Sequence, residues 1–139
     1  MKLYKMWLKL ILKKKIRLVK GSHIITNKIY DEDVAFTLQN NDKRIIFVIP
    51  YKEKYSLIGT TEIEVNSPEK NSIDDSEITY LINCVNSYFK KQISKEDIVD
   101  TYSGIRPLIE DFSEATKVTR DYIFDLNIYN NLPLLSIYG

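Results

Sequence analysis

The sequence predicts an α+β domain, built from a largely antiparallel β-sheet of about six strands with one long helix packed on it. Short segments rich in β-branched and aromatic residues recur between turn residues, which is typical of strands. One internal segment instead repeats apolar residues at helical spacing. With 139 residues, of which 44% are hydrophobic, the chain is long enough for one domain with a core.

The first 15 residues predict a basic amphipathic segment ahead of a domain that spans residues 16–139. Eight of the 20 Lys and Arg residues, and none of the 19 acidic residues, lie among the first 20 positions. Apolar residues recur at helical spacing on the opposite face, namely Leu3, Met6, Trp7, Leu10 and Ile11. Two interpretations stay open: a surface helix packed on the core, or a helix that attaches to a membrane surface. Nucleic acid is not an expected partner, because the remaining chain is acidic.

From residue 17 onward the patterns favour strands. The first strand is expected at 17–26, with an irregular or bulged point at 20–22. An alternating segment at 34–39, a polar turn and an apolar run at 44–49 predict a hairpin. Its second strand is expected to be central, buried on both faces and stopped by Pro50. Further strands are predicted at 56–65, 99–108, 119–126 and 132–138.

The long helix is predicted between the strands at 56–65 and 99–108. Ser72 can cap it, and Asp74 and Asp75 in its first turn suit the helix dipole. Its apolar stripe consists of Ile78, Leu81, Ile82, Val85 and Phe89. Cys84 lies beside this stripe without a basic neighbour, so we interpret it as a packing residue.

Glycine, histidine and cysteine contents exclude several kinds of site. The four glycines, at 21, 59, 104 and 139, are too far apart to form a glycine-rich phosphate loop. A single histidine and a single cysteine exclude a disulfide framework and His-rich or Cys-rich metal sites, and we expect no metal. One cysteine also suits a reducing compartment, so we expect a cytoplasmic protein.

Two arginines are candidate anion-binding residues. Along the strand that ends near Arg106, alternation places Arg106 on the face of Tyr102 and Gly104, and Gly104 leaves a gap beside it. Pro107 favours extended backbone at Arg106. Arg120 falls on the apolar face of its own strand. An inward guanidinium suits phosphate or carboxylate, and the alternative is that each arginine pairs with an acidic side chain.

His23 is the candidate general base. Its unperturbed pKa near 6.5 suits proton transfer at neutral pH, and a hydrogen-bonded structural role is the alternative. Gly59 inside a strand pattern predicts either a bulge or the close approach of another backbone or a ligand, beside the hydroxyls of Thr60 and Thr61. Taken alone, these residues indicate an anion-binding α+β domain with one candidate base.

Five sequence blocks add a family resemblance. They are I-R-L-V-K-G-S-H-I at 16–24, L-Q-N-N-D-K-R-I-I-F-V-I-P at 38–50, I-G-T-T at 58–61, T-Y-S-G-I-R-P-L at 101–108 and T-R-D-Y at 119–122. In their order and approximate spacing these blocks resemble the FAD-dependent glycerol-3-phosphate dehydrogenase family. The resemblance runs from about residue 16 to the end, and it matches the substrate-binding sheet in the middle of the enzyme.

The resemblance implies an activity and a role for each candidate. Such enzymes oxidise sn-glycerol 3-phosphate to dihydroxyacetone phosphate, with hydride transfer from C2 to FAD and electrons passed on to a quinone. His23 matches the active-site histidine that accepts the C2 hydroxyl proton. Arg106 matches the phosphate-binding arginine, and Arg120 matches a second substrate-binding arginine. Thr60 and Thr61 match the segment near the flavin.

Departures from the family lead to further expectations. The sequence has no counterpart of the flavin-binding Rossmann part with its glycine-rich loop, and Glu62 stands where aspartate is common. We therefore expect an internal, incomplete fragment that binds no FAD and is inactive alone. The alternative is a non-catalytic phosphate-binding or interaction domain without cofactor. Uncovered surface would favour self-association, and the basic segment would favour a peripheral contact with the inner membrane.

Overall fold

A computed structural model describes residues 16–69, 71–109, 122–129 and 131–138. Its strands are β1 (Ile16–Asn27), β2 (Phe36–Gln39), β3 (Ile45–Tyr51), β4 (Tyr55–Gly59), β5 (Ile63–Val65), β6 (Ile98–Ile109), β7 (Ile123–Tyr129) and β8 (Leu132–Tyr138). Helix α1 (Asp75–Tyr88) and a 3₁₀ turn (Lys95–Asp97) lie between β5 and β6. The predicted α+β class, with a largely antiparallel sheet and one long helix, is confirmed.

Six strands form one antiparallel sheet around β1. Strands β2, β3, β4 and β1 pair in that order, and β6 pairs with β1 along nearly its whole length. Strand β5 pairs with the first half of β1, and β4 pairs with the second half. Because β6 occupies one edge of β1 throughout, β4 and β5 share the other edge end to end. The last two strands, β7 and β8, pair with each other in a separate hairpin.

The irregularity predicted at 20–22 lies on the partner of β1. Strand β1 pairs with β6 without a break there, and its register shifts only between Ile25 and Thr26. On the other edge, the partner advances four residues from Gly59 to Ile63 while β1 moves three residues, from His23 to Lys20. The extra residue makes 60–62 a bulge, which interrupts the regular pairing and keeps one backbone hydrogen bond, from Thr61 N–H to the Ser22 carbonyl at 3.2 Å. The predicted single strand at 56–65 is therefore divided into β4 and β5.

The core lies between α1 and one face of the sheet. Its fully buried members are Ile24, Ile46, Val48 and Ile58 from the sheet and Leu81 and Val85 from α1. On the opposite face of β3, Ile45, Phe47 and Ile49 are 45%, 43% and 38% exposed. The prediction that β3 is buried on both faces is wrong for this structure, because α1 covers only one of them. Pro50 does not stop the strand, which continues to Tyr51 with Pro50 paired to Ser56.

Helix α1 begins with a capping box. Asp74 is the N-cap, not Ser72 as predicted: its Oδ1 accepts hydrogen bonds from the backbone N–H groups of Ser76 and Glu77 at 2.9 and 3.0 Å. In return, Glu77 Oε2 accepts a 2.9 Å bond from the Asp74 backbone N–H. This reciprocal pairing satisfies three donors at the helix start. Ser72 lies too early for it, and its carbonyl instead accepts a bond from Lys20 Nζ at 2.8 Å.

A buried carboxylate joins α1 to β1 and to the bulge. Glu77 Oε2 lies 2.7 Å from Lys20 Nζ, while Oε1 accepts hydrogen bonds from Ser22 Oγ at 2.8 Å and Thr61 Oγ1 at 2.6 Å. All four residues are buried. Burial raises the pKa of Glu77, but hydrogen bonds from Lys20, Thr61, the backbone of Asp74 and Ser22 outweigh it, so the pKa is lowered. The carboxylate is therefore charged at neutral pH.

Removing this charge should destabilise the fold. Glu77→Gln removes the carboxylate that lies 2.7 Å from the buried Lys20 ammonium and leaves it only Asp74 Oδ2 at 4.0 Å. We therefore expect the free energy of unfolding in urea to fall by about 3–5 kcal/mol. Glu32→Gln, at an exposed loop position, is the matched control and should change it by no more than about 0.5 kcal/mol. Equal losses in the two variants would contradict this role for Glu77.

Acid should weaken the interactions by which the Glu77 carboxylate joins α1 to β1. Because the pKa of Glu77 is lowered on folding, its contribution is present above the unfolded pKa near 4.5 and is lost as pH falls through the folded value. We expect the wild-type chain to lose more stability below pH 4.5 than Glu77→Gln does, as measured by urea denaturation across that range.

Candidate functional site

Two of the predicted site residues, His23 and Arg106, lie on the face of the sheet opposite α1. The register of the strands arranges this face in three rows, Phe47–Gly59–His23–Tyr102, Gly21–Gly104 and Val19–Arg106. Alternate residues of a strand share a face, so His23 and Arg106 point to the same side. The prediction that Arg106 shares a face with Tyr102 and Gly104 is confirmed.

The imidazole of His23 lies against a glycine and a tyrosine. Its ring stacks on the Tyr102 ring, with centroids 4.6 Å apart and planes at 6°. A Cβ atom on Gly59 would lie 2.2 Å from His23 Cδ2, so a side chain at 59 would displace the imidazole. Of the two alternatives predicted for Gly59, the bulge is found in the residues that follow it, while the group that closely approaches Gly59 is the His23 side chain, not another backbone or a ligand.

The environment of His23 favours a neutral imidazole. The residue is half-buried, and within the described part of the chain its buried Nδ1 has no hydrogen-bond partner. Burial lowers the pKa of His23 below its usual 6.5, and the charge of Arg106 lowers it further. A neutral imidazole keeps one nitrogen able to accept a proton. These features suit the predicted base better than a hydrogen-bonded structural histidine.

The guanidinium of Arg106 lies over Gly21. A Cβ atom on Gly21 would lie 2.8 Å from Arg106 Nη2 and 2.6 Å from Thr60 Oγ1. The guanidinium itself therefore lies above Gly21 on the neighbouring strand, while the predicted gap at Gly104 is present as open space among the described residues. The reason is that Arg106 is paired with Val19 and reaches diagonally across the sheet to the next row.

Arg106 is only partly paired. Its Nη1 lies 3.6 Å from Glu62 Oε1, and its buried Nη2 has no hydrogen-bond partner among the residues that the structure describes. The predicted alternative of pairing with an acid is thus met by Glu62, although at a distance too long for a hydrogen bond. A buried guanidinium N–H without a partner costs stability, so this donor is available to an anion.

A cavity of about 320 Å³ opens beside the guanidinium. It is lined by Lys43, Arg44, Ile45, Phe47, Thr60, Glu62 and Arg106. Five of these residues are polar or charged, while the exposed side chains of Ile45 and Phe47 add apolar surface. The cavity therefore suits a ligand with both a polar edge and an apolar surface.

The two threonines of the bulge differ in their contacts. Thr61 is buried, and its hydroxyl accepts a 2.9 Å bond from the Ser22 backbone N–H and donates to Glu77, on the side of α1. The Thr60 hydroxyl lies on the opposite side, over Gly21, and donates to the Thr61 carbonyl at 3.0 Å. Thr60 is therefore the one that borders the cavity.

Several predictions fall outside the described residues. These are the role of Arg120 and the basic amphipathic segment at 1–15. Within the described ranges, no group of three or more His, Cys, Asp or Glu side chains is placed to hold a metal ion. Over the same ranges, no helix combines the length and apolar character that spanning a membrane requires.

The residues that support the site from the α1 side of the sheet were not predicted from the sequence. Glu77, Lys20 and Ser22 form the network beneath Thr61. The spacing of Asp74 and Glu77 is a capping-box signal that could have indicated a helix start at Asp74. No pattern in a single sequence indicates that Glu77 and Lys20 meet.

Comparisons with known proteins agree on one family. The sequence model of the family described as FAD dependent oxidoreductase matches residues 4–131. The chain is 50% identical over 127 residues to the aerobic glycerol-3-phosphate dehydrogenase of Escherichia coli, and 46% identical over 126 residues to the D-erythritol 1-phosphate dehydrogenase of Brucella abortus. Each match covers 89% of this chain and 25% of the relative, so the chain spans about a quarter of the length of these relatives.

A solved structure shares the fold. The glycerol-3-phosphate dehydrogenase from Bacillus halodurans, solved in complex with FAD, matches with a TM-score of 0.66 and 21% sequence identity. The match covers 85% of this chain and 22% of that one. The fold described above therefore occurs as part of a larger flavoprotein.

The pKa of His23 can be tested by NMR titration of its ring protons. We expect a midpoint below 6.5 in the wild-type chain and a higher one in Arg106→Met, because that variant removes a nearby positive charge. The midpoint of this variant should still lie below 6.5, since burial lowers the pKa of His23 more than the charge of Arg106 does. Arg44→Met, which removes a charge paired with Asp42, should leave the midpoint unchanged. A wild-type midpoint at or above 6.5 would show that the imidazole is not desolvated as described.

Proposed function

The chain belongs to the family of FAD-dependent oxidoreductases, and from that premise we propose that it forms the substrate-binding sheet of a dehydrogenase that oxidises sn-glycerol 3-phosphate to dihydroxyacetone phosphate. The observation that carries the proposal is the placement of Arg106 and His23 on one face of the sheet. Arg106 offers a buried N–H donor that has no hydrogen-bond partner among the described residues, and the pKa of His23 is lowered. Relatives named glycerol-3-phosphate dehydrogenase, 45–50% identical to the chain, support this substrate.

The spacing of the two groups suits a three-carbon phosphate. The Arg106 guanidinium lies over Gly21, which is two residues from His23 on β1. Same-face positions on a strand are about 6.8 Å apart. In glycerol 3-phosphate, four single bonds of about 1.5 Å join the phosphorus to the C2 oxygen, which spans about 5 Å when extended. The phosphate can therefore meet the guanidinium while the C2 hydroxyl reaches the imidazole.

Each residue has one task in the proposed oxidation. Arg106 binds the phosphate through its N–H donors, whose planar arrangement fits phosphate oxygens. His23 accepts the proton of the C2 hydroxyl as that carbon loses its hydride. FAD, when bound, supplies the hydride acceptor. Arg120 is the second proposed substrate-binding residue, on the strength of the resemblance of its T-R-D-Y block.

The cavity residues fit the ring end of a flavin. Thr60 offers a hydroxyl, and Ile45 and Phe47 offer apolar surface, beside Arg106. We propose that Thr60 contacts the cofactor, and that Thr61 contributes by fixing the bulge through its bond to Glu77. The sequence holds no glycine-rich loop for the pyrophosphate. The remainder of the FAD site is proposed to lie in parts of the enzyme that this sequence does not contain.

We make two further proposals about the whole enzyme and one about the chain. The enzyme passes electrons to a quinone, and an assay for reduction of a short-chain quinone by sn-glycerol 3-phosphate would test this. It is cytoplasmic and peripheral to the inner membrane, with residues 1–15 as the contact, which co-sedimentation with anionic vesicles would test. The chain on its own self-associates through surface that the rest of the enzyme would cover, a proposal supported by Phe124, Leu126 and Ile128 on β7, which are 65–72% exposed. A constant monomer mass in sedimentation would contradict the last proposal.

Phosphate-ester binding to the chain is the direct test of the site. We expect sn-glycerol 3-phosphate to shift the backbone NMR signals of His23 and Arg106, and Arg106→Ala to weaken binding about tenfold or more, because a charge-assisted bond is lost. Lys95→Ala is the control, since Lys95 pairs with Asp75 at 2.8 Å at the start of α1, on the other face of the sheet. A wild-type chain that shows no shifts would overturn the proposed substrate site.

The chain alone should be inactive. Hydride transfer needs FAD positioned against C2, and the sequence lacks a loop for its pyrophosphate. We expect a colourless preparation that does not reduce dye with sn-glycerol 3-phosphate. Ester binding without activity even after FAD is added together with the rest of the enzyme would favour the alternative, a non-catalytic phosphate-binding or interaction domain. A yellow, active preparation of the chain would contradict the expected inactivity.

A further inference from the structure

Three glycines lie in the sheet, and packing explains two of them. A Cβ atom on Gly21 would collide with Thr60 Oγ1 and Arg106 Nη2, at 2.6 and 2.8 Å. A Cβ atom on Gly59 would lie 2.2 Å from the imidazole of His23. Each of these glycines therefore makes room for a side chain of the chain itself.

Gly104 has no such explanation within the described residues. A Cβ atom there would meet no described atom within 4 Å, and the backbone φ of Gly104 is not in the left-handed region. The residue lies inside β6, where glycine weakens a strand because it contributes no side-chain packing and has more freedom to lose. A side chain at 104 would thus be tolerated by the described part of the fold, which leaves the space above it open.

The open space above Gly104 lies between the two groups of the proposed site. Gly104 is paired with Gly21, over which the Arg106 guanidinium lies. Two residues back along β6, on the same face, Tyr102 stacks on His23. The floor made by the two glycines therefore carries the guanidinium over its Gly21 half, is open over its Gly104 half, and borders the row of the imidazole and its stacked tyrosine.

We propose that Gly104 is a specificity-determining residue, whose missing side chain leaves room for the carbon chain of a phosphorylated polyol between Arg106 and His23. The inference rests on the proposed function, because it assumes that phosphate binds at Arg106 and the reacting hydroxyl at His23. It adds that the length and bulk of the polyol accepted by the site are limited at position 104.

The chemistry of the floor favours a polyol chain. A bare strand backbone allows carbon atoms to come to van der Waals contact, and a side chain would raise the surface by at least one C–C bond of about 1.5 Å. A non-bonded carbon needs about 3.5–4.0 Å from its neighbour, so a step of this size displaces a ligand carbon that would otherwise touch the backbone. A longer polyol extends further over the floor, so it should be affected more strongly than a three-carbon one.

Binding of three ligands to the full chain tests this inference. The probes are inorganic phosphate, sn-glycerol 3-phosphate and D-erythritol 1-phosphate, followed by NMR titration of the wild type, Gly104→Ala and Gly104→Val. We expect Gly104→Val to weaken sn-glycerol 3-phosphate about tenfold or more and the four-carbon ester further still, with Gly104→Ala between. Inorganic phosphate should bind all three proteins within about twofold, because it does not reach over Gly104.

Two controls separate the effect from a loss of structure. Thr101→Val introduces valine on the same strand, but on the face paired with Ile24 of the core, and should leave all three affinities unchanged. The melting temperatures of the Gly104 variants should be no lower than that of the wild type, because the position is open and in a strand. A lowered melting temperature with weaker binding of inorganic phosphate would overturn the inference.

The outcomes distinguish this inference from the function on which it rests. A wild-type chain that binds neither phosphate nor its esters overturns both. A wild-type chain that binds all three ligands, with Gly104→Val binding them equally well, overturns only the role of Gly104. In that case the space above Gly104 belongs to another occupant, such as the flavin ring.

Discussion

The carboxylate of Glu77 is the constraint on which the rest of the structure depends. A buried charge must be paired and hydrogen-bonded, and Glu77 obtains its partners from three separate elements: Lys20 and Ser22 on β1, Thr61 in the bulge and the Asp74 backbone at the start of α1. A buried ion pair adds little net stability compared with apolar packing, but it is costly to break from one side. We therefore attribute to it the fixing of these elements relative to one another.

The same four-residue segment of β1 builds both the support and the site. Lys20 and Ser22 point toward α1, while Gly21 and His23 point to the opposite face, because successive residues of a strand alternate. A register slip of one residue would exchange the two sets and place an ammonium in the site and an imidazole in the core. The buried ion pair between Lys20 and Glu77 opposes that slip, and it thereby also keeps Gly21 and His23 on the face of the site.

Features that depend on residues close together in the chain could be predicted from the sequence. Contacts between paired strands, or between the helix and the sheet, could not. Alternation along one strand was enough to place Arg106 on the face of Tyr102 and Gly104. It could not show that Arg106 reaches across to Gly21, because that contact depends on the register between β6 and β1. The N-cap was displaced from Ser72 to Asp74 because the reciprocal bond with Glu77 outweighs what a lone serine offers. Glu77 itself went unnoticed, since its partner on β1 is 57 residues away.

Strand β3 has apolar side chains on both faces, although the structure buries only one of them. A continuous apolar run such as 44–49 indicates a strand covered on both faces, yet α1 covers only the face of Ile46 and Val48. The uncovered residues, Ile45 and Phe47, are those that line the cavity beside Arg106. Apolar side chains that border an anion-binding group suit a ligand layer better than solvent, since water would gain nothing from them. In the proposed enzyme, a flat and partly apolar ligand such as the flavin would bury this face, which would account for the apolar run.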